Sequence, residues 1–240
     1  ITHGDPNIEI QILKDLVNDS VDGVVISTLN KIEDNSYLQE IKDMEFPMVL
    51  LERYGSDVER IPNVKIDNER ASRLAVKYLV ENNHKNIGFL KGNKNAFNAR
   101  LREQGYLKEL ENQGIMANKN YIIYGDFAYQ KSVTETFKLL NRHKEVTAII
   151  ASNDLMAVGA CKAAKMQNLA VPKDLSVVGL GGELLTSLNE PAITSVNFES
   201  EILGEKAGEM LVQQLEGKKL SSISYQLKPF LQNRESVRHI

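Results

Sequence analysis

Residues 148–160 read AIIASNDLMAVGA, a short apolar run followed by polar residues and then by small and apolar ones. The run Ala148–Ala151 has the length and composition of a strand that is covered on both faces of a parallel sheet. Asn153 and Asp154 come directly after it, and both residue types commonly cap helices. The segment therefore predicts a buried strand that leads straight into a helix.

The same strand–helix unit recurs along the chain. Further short apolar runs predict buried strands at residues 23–27, 48–51, 87–90, 121–123 and 175–179. Between them lie helical stripes of apolar residues within 8–17, 71–79 and 203–215, the last closed by Gly217 as a C-terminal cap. Alternating strands and helices predict an α/β protein with mainly parallel, doubly wound sheets.

Sheets of this kind bind ligands in the crevice beyond the carboxyl ends of their strands. The residues just after the predicted strands are mostly polar, as a small-molecule crevice requires. They are Ser27, Thr28, Glu52, Arg53, Asp67, Asn68, Asn93, Phe127, Asn153, Asp154 and the glycine turn at 181–182. Turns and helix caps use the same residue types, so position alone leaves both roles open, above all for Asn68 and Asn153.

Composition excludes several classes of site. The 240 residues carry a net charge of −3 and contain no lysine- or arginine-dense run, whereas a DNA-binding segment normally shows a basic patch. The single cysteine, Cys161, cannot form an internal disulfide or a cysteine-based metal site. The four histidines lack the spacing of metal ligands, and no segment is apolar and long enough to span a membrane. We therefore expect no cofactor, no metal and no membrane partner.

Nine short segments, in order along nearly the whole chain, resemble motifs of the LacI/GalR family of transcriptional repressors. The segments at 21–26 (VDGVVI), 47–53 (PMVLLER) and 64–68 (VKIDN) resemble VDGIII, PVVLIDR and VxxDN. Those at 84–92 (HKNIGFLKG), 102–106 (REQGY) and 151–160 (ASNDLMAVGA) resemble HRxIAxIxG, RxxGY and xxNDxMAxGA. The last three, at 171–179 (VPKDLSVVG), 191–196 (PAITSV) and 234–236 (RES), resemble VPxDISVVG, PxLTTV and RxS. Asn83 stands where the family usually has a glycine.

The resemblance implies the fold of type I periplasmic sugar-binding proteins, two α/β lobes with a ligand cleft between them. We expect an N-terminal lobe at 1–93 and 196–218 and a C-terminal lobe at 94–195 and 219–240. Residues 1–6 resemble the end of the family's second core strand. The chain is therefore expected to lack the DNA-reading headpiece, and also the first strand and helix of the N-terminal lobe.

The resemblance also implies which residues touch the ligand. Arg102 matches an arginine that grips the effector, and a guanidinium can donate two parallel hydrogen bonds to hydroxyls, a carboxylate or a phosphate. Asn153 matches an effector-contacting asparagine, and Phe127 a position where an aromatic ring stacks on the ligand. Glu52 stands where the family usually carries aspartate, and Ser27 is a further strand end that lines the cleft. Asp154 is expected to cap the next helix.

Gly181 is the main departure from the family pattern. The family usually continues VVGFDD, and its first aspartate binds sugar hydroxyls, whereas residues 177–183 here read VVGLGGE. Gly181 occupies the place of that aspartate and offers the ligand only its backbone. Loss of a carboxylate removes a strong acceptor for hydroxyls. With Arg102 retained, we expect a phosphorylated or acidic ligand to be favoured over a neutral sugar.

The resemblance implies the effector-binding core of a cytoplasmic, homodimeric repressor. Its effector would be a sugar, a sugar phosphate or a sugar acid. Binding of the effector would favour one arrangement of the two lobes and so change the affinity of the headpiece for operator DNA. One alternative is the solute-binding protein of a sugar transporter, which shares the fold. Another is an enzyme, because residues 179–182 (GLGG) resemble part of a nucleotide-binding turn. The GxGxxG pattern fails at Leu184, however, so we expect no catalysis.

Overall fold

A computed structural model of the chain describes residues 5–19, 21–28, 36–52 and 60–240. Arg53 and the first four residues, on which two of the expectations above depend, lie outside the described residues. The remaining candidate residues all lie within them.

Helices and strands alternate, as the sequence predicts. In chain order they are α1 (Pro6–Asp19), β1 (Val24–Ile26), α2 (Ser36–Asp43), β2 (Met48–Leu51), β3 (Asn63–Ile66), α3 (Asn68–Glu81), β4 (Ile87–Lys91), α4 (Phe97–Asn112), β5 (Ile122–Tyr124), α5 (Tyr129–Arg142), β6 (Ala148–Ala151), α6 (Asp154–Met166), β7 (Ser176–Gly181), α7 (Leu184–Leu188), β8 (Thr194–Asn197), α8 (Ser200–Leu215), β9 (Ser224–Leu227) and β10 (Phe230–Gln232). The expected α/β fold with mainly parallel sheets is confirmed.

The strands form two sheets, each in its own compact unit. Unit 1 comprises the described parts of residues 1–66, 95–98 and 200–227, and its parallel sheet has the order β1-β2-β3-β9. Helix α8 packs on this sheet, and Leu13, Leu38 and Leu50 belong to its core. The expectation that β1 is covered on both faces is wrong, because Val25 is exposed. Among the described residues, β1 is an end strand of this sheet.

Unit 2 comprises residues 67–94, 99–199 and 228–240. Its sheet has the order β10-β8-β7-β6-β4-β5, in which only β10 is antiparallel to its neighbour. Helices α5 and α6 pack against each other, and the core beneath them includes Leu90, Ile149 and Met156. The carboxyl ends of β4 to β7 meet at one edge of this sheet.

The boundaries of the two units differ from the expected lobe boundaries. Strand β4 hydrogen-bonds with β5 and β6 and so belongs to the second sheet, whereas the N-terminal lobe was expected to extend to residue 93. Strand β9 pairs with β3 in the first sheet, whereas residues 219–240 were assigned to the other lobe. Strand partners lie far apart in the sequence, so local motifs locate each strand without specifying its sheet.

Candidate functional site

Arg102 is buried inside unit 2 and is not a surface residue of α4. It is 4% exposed, and its Nε donates to Oδ1 of Asn68 at 2.7 Å. Its Nη1 donates to the carbonyl oxygen of Ser152, and the guanidinium lies 4.9 Å from the ring centroid of Phe198. The side chain thus joins the first turn of α3, the end of β6 and the segment after β8, at the carboxyl edge of the sheet.

Gly105 and Tyr106 of the REQGY segment fix the position of α4. A Cβ built on Gly105 would lie 2.2 Å from the backbone carbonyl oxygen of Glu69, so only glycine allows α4 to approach α3 this closely. Tyr106 is fully buried, donates to the carbonyl oxygen of Ile87 at 2.7 Å and stacks on Phe89 with 4.8 Å between centroids. Burial raises the pKa of Tyr106. The segment therefore positions Arg102 by packing against helix α3 and against strand β4.

Asn153 caps α6, as its residue type indicates. Its Oδ1 accepts from the backbone N–H of Met156 at 2.8 Å. The cap uses the carbonyl oxygen of the amide and leaves the Nδ2 group as the donor with which Asn153 would contact a ligand. That contact stays a prediction. Asn68, the other candidate for a helix cap, does not cap α3. Asp67 caps that helix, and Oδ1 of Asn68 accepts a hydrogen bond from Arg102.

The expectation that Asp154 caps α6 is wrong, because Asn153 holds that position. Asp154 is 1% exposed and reaches sideways to the next strands. Its Oδ1 accepts from Ser195 Oγ and its Oδ2 from the backbone N–H of Glu183, both at 2.7 Å. Desolvation by burial raises the pKa of Asp154 above its ordinary value. The carboxylate ties α6 to β8 and to the turn after β7.

Gly181 and Phe127 lie at two further strand ends of unit 2. Gly181 is the last residue of β7, with φ +151°, and its carbonyl oxygen accepts from Phe198 N–H at 3.1 Å. Phe127 follows β5 with φ +60°, and its ring lies on Gly92, where an added Cβ would come within 2.1 Å of a ring atom. The half-buried ring also packs on the core. Its stacking on a ligand stays a prediction.

Lys91, the last residue of β4, is a buried charge that the sequence reading missed. It is 7% exposed, pairs with the carboxylate of Glu103 on α4 and lies 5.3 Å from the ring centroid of Tyr124. The signal was present, because a lysine ends an otherwise apolar strand directly before Gly92. The ion pair connects α4 to β4 through Glu103, the residue that follows Arg102.

Glu52 and Ser27 are the candidate residues of unit 1. Glu52 follows β2 with φ +64°, and its Oε1 accepts from the backbone N–H of Ile66 at 3.1 Å. Ser27 follows β1 and is exposed. Both lie at the carboxyl edge of the first sheet, as expected, and their ligand contacts stay predictions. The structure thus places Arg102, Asn153, Phe127 and Gly181 on one sheet edge, and Glu52 and Ser27 on the edge of the other.

Across residues 5–19, 21–28, 36–52 and 60–240, no group of three histidine, cysteine or acidic side chains is arranged to hold a metal ion. Within the same ranges, no helix has both the length and the apolar composition needed to cross a bilayer.

Comparison with known proteins places this geometry in a family. Residues 76–237 match the periplasmic binding protein-like domain. The catabolite control protein A of Priestia megaterium is 30% identical over 231 residues, which are 96% of this chain and 69% of the relative. A sugar-binding transcriptional regulator of the LacI family from Escherichia coli, solved with phosphate, superposes with a TM-score of 0.84 at 26% identity, over 98% of this chain and 83% of that one. The chain belongs to the LacI family.

The transcriptional regulator CelR in complex with cellobiose is a further LacI-family neighbour, with a TM-score of 0.88 at 29% identity over 97% of this chain and 71% of that one. The chain spans 69% of the length of catabolite control protein A and 60% of the length of the repressor CytR of Escherichia coli, which is 31% identical over 86% of this chain. These relatives are transcriptional regulators, which are not enzymes. Membership of the LacI family supports a repressor's effector-binding core over the solute-binding protein of a transporter.

Proposed function

We propose that this LacI-family chain binds a sugar-derived effector and thereby controls transcription in a larger repressor. The observation that carries the proposal is the buried guanidinium of Arg102 at the carboxyl edge of the six-stranded sheet, where α/β sheets bind ligands. The LacI-family neighbours include one solved with cellobiose and one solved with phosphate, which are the two chemistries that a sugar phosphate combines.

Each residue on the edge of unit 2 has a distinct proposed role. Arg102 donates to an anionic or hydroxyl oxygen, and Nδ2 of Asn153 donates to a neighbouring one. Phe127 offers the exposed part of its ring to an apolar sugar face. Gly181 contributes only main chain and therefore no negative charge. Because a carboxylate there would repel an anion, its absence favours a phosphorylated or acidic effector.

A melting-temperature series with matched ligands tests this proposal. We expect glucose 6-phosphate or glucuronate to raise the melting temperature more than glucose does. A ligand present at 100 times its Kd stabilises by about 2.7 kcal/mol, which corresponds to roughly 5–10 °C for a chain of this size. Tighter binding of the neutral sugar would contradict the proposed ligand class, and no shift with any sugar, sugar phosphate or sugar acid would contradict the proposed function.

Operator DNA is the second proposed partner, and it would be reached through a headpiece outside these 240 residues. The 240 residues contain no basic run of their own, and backbone phosphates dominate the affinity of proteins for DNA. We therefore expect the chain alone to bind operator DNA no more tightly than unrelated DNA, when measured by fluorescence anisotropy at moderate salt. Sequence-specific binding by the chain alone would contradict the proposal that the headpiece recognises the operator.

A homodimer is the third part of the proposal, and it is supported by exposed leucines on α7. Leu184 is 72% exposed and Leu188 is 70% exposed, one helical turn apart, and Leu155 on α6 adds a third exposed apolar side chain. Exposed leucines one turn apart on a helix are typical of protein interfaces. We expect the double substitution Leu184→Glu and Leu188→Glu to convert a dimer into a monomer in sedimentation velocity. Met116→Glu, at a 95% exposed site, is the control and should leave the dimer intact.

A further inference from the structure

A cavity of about 550 Å³ opens at the amino edge of the six-stranded sheet, where β4 and β5 begin. It lies within unit 2, at the sheet edge opposite to the one that carries Arg102 and Asn153. Its volume falls within the range of about 300–1,000 Å³ that is usual for small-molecule sites. Among the described residues, none of those proposed to bind the effector lines it. The cavity is therefore a separate candidate site.

The end of α4 leaves this space open. Gly114, with φ +69°, follows the helix, and the N–H of Ile115 returns to the carbonyl oxygen of Leu110 at 2.8 Å. The chain then reaches Asn118, whose side chain accepts from the N–H of Asn120 and caps the short turn before β5. The segment between α4 and this turn lines the cavity together with the start of β4.

The lining combines an apolar base with positive charge. Ile87, Tyr106 and Leu110 are buried and form the base. Lys85 and Lys119 are exposed and carry the charge. No acidic side chain occurs among the described residues that line the cavity. A cleft lined by one sign of charge concentrates ligands of the opposite sign, so the lining favours an anion.

Met116 adds apolar surface to the cavity. Its side chain lines the space and is almost fully exposed, so the protein itself does not cover it. A flexible thioether adapts to apolar ligands of different shapes. Glu145, which lies outside the lining, accepts from the hydroxyl of Tyr121 at 2.8 Å and from His143 at 3.2 Å. Its carboxylate is thus engaged by neighbouring side chains, and the lysines set the charge that a ligand meets.

We propose that this cavity binds a small organic anion with an apolar body, at a site separate from the effector site. The apolar body lies against Ile115 and Met116 above the buried base, and the anionic group faces the ammonium groups of Lys85 and Lys119. Ion pairs with exposed lysines are weak, so apolar contact supplies most of the affinity and the charge supplies selectivity. The site does not depend on the proposed function at the carboxyl edge.

Calorimetric titration with 2-naphthoate tests the site, and the neutral 2-naphthamide is the matched ligand. We expect 2-naphthoate to bind at least about 3-fold more tightly, because two ion pairs distinguish the two compounds. The double substitution Lys85→Glu and Lys119→Glu should lower the affinity for 2-naphthoate at least about 10-fold and leave that for 2-naphthamide nearly unchanged. No binding of 2-naphthoate to the wild type, or equal affinity for both compounds, would overturn the proposal.

Two control variants locate the ligand. Lys162→Glu combined with Lys165→Glu gives the same change in net charge on exposed positions of α6, outside the cavity, and should leave the affinity for 2-naphthoate nearly unchanged. An equal loss there would show attraction by the whole chain and overturn the site. Ala117→Phe places a ring in the cavity and should abolish binding of both compounds. Unchanged binding by this variant, with a cooperative melt, would place the ligand elsewhere and also overturn the site.

Discussion

Arg102→Ala should abolish most of the ligand-induced rise in melting temperature, with a loss of ligand affinity of roughly 150-fold or more. A charge-assisted hydrogen bond contributes about 1.5–3 kcal/mol, and a guanidinium that donates twice to an anion loses both such bonds together. The unliganded protein should also melt earlier. The substitution removes the donors to Asn68 Oδ1 and to the carbonyl oxygen of Ser152 in a buried environment. Calorimetric titration with glucose 6-phosphate measures the first effect.

Two further variants separate the proposed ligand contact from a loss of folding. Arg102→Lys retains the charge but not the planar fork, so it should recover part of the stability and little of the affinity. Arg100→Ala removes an exposed arginine of the same helix and should leave ligand affinity nearly unchanged. If Arg102→Lys binds the phosphate as tightly as the wild type, the bidentate contact is wrong. If Arg100→Ala lowers the affinity for the phosphate as much as Arg102→Ala does, the loss reflects long-range electrostatic attraction and not a contact made by Arg102.

The sequence predicted the positions of the strands much better than their partners. The run at residues 87–90 is recognisable as a buried strand because it is short, apolar and rich in branched residues. Nothing local in it indicates that β4 lies between β5 and β6 rather than in the first sheet. The same holds for β9, an edge strand with exposed Tyr225, which lacks the apolar run that would reveal it. Sheet membership depends on hydrogen bonds between distant segments, and a local pattern does not record it.

The sequence predicts a site residue where a local motif or the position after a strand indicates its role. It does not predict a role that depends on a hydrogen-bond partner distant in the sequence. Arg102 stood out from its motif, and Asn153 from its place after a strand. The predicted role of Asp154 is wrong because a carboxylate can either cap its own helix or accept hydrogen bonds from neighbouring strands. Here it accepts from Ser195, which is distant in sequence. The sequence at Gly181 indicates only that an acidic ligand group is missing. The structure adds that another carboxylate already fills the space beside it.

Gly105→Ala should be among the most destabilising single-methyl changes in unit 2, at about 3 kcal/mol. Overpacking of a filled interior typically costs about 1–3 kcal/mol, and here the obstacle is a backbone carbonyl oxygen 2.2 Å from the added carbon, which moves only if α3 and α4 separate. Separation would lengthen the bond between Arg102 and Asn68, so ligand affinity should fall although Gly105 lies in no proposed contact. Urea unfolding and the glucose 6-phosphate titration measure the two effects.

The control for Gly105→Ala is Gly208→Ala in α8. Both glycines lie inside helices, but nothing lies within 4 Å of a Cβ built on Gly208. Alanine there should stabilise by about 0.4–1 kcal/mol, through better helix propensity and a smaller entropy loss on folding. The two identical substitutions should therefore have opposite signs. If Gly105→Ala also stabilises, α3 and α4 do not meet at Gly105, and the REQGY segment does not hold Arg102 by helix contact. If it destabilises but leaves ligand affinity unchanged, the contact between the helices serves folding alone, and Arg102 keeps its place without it.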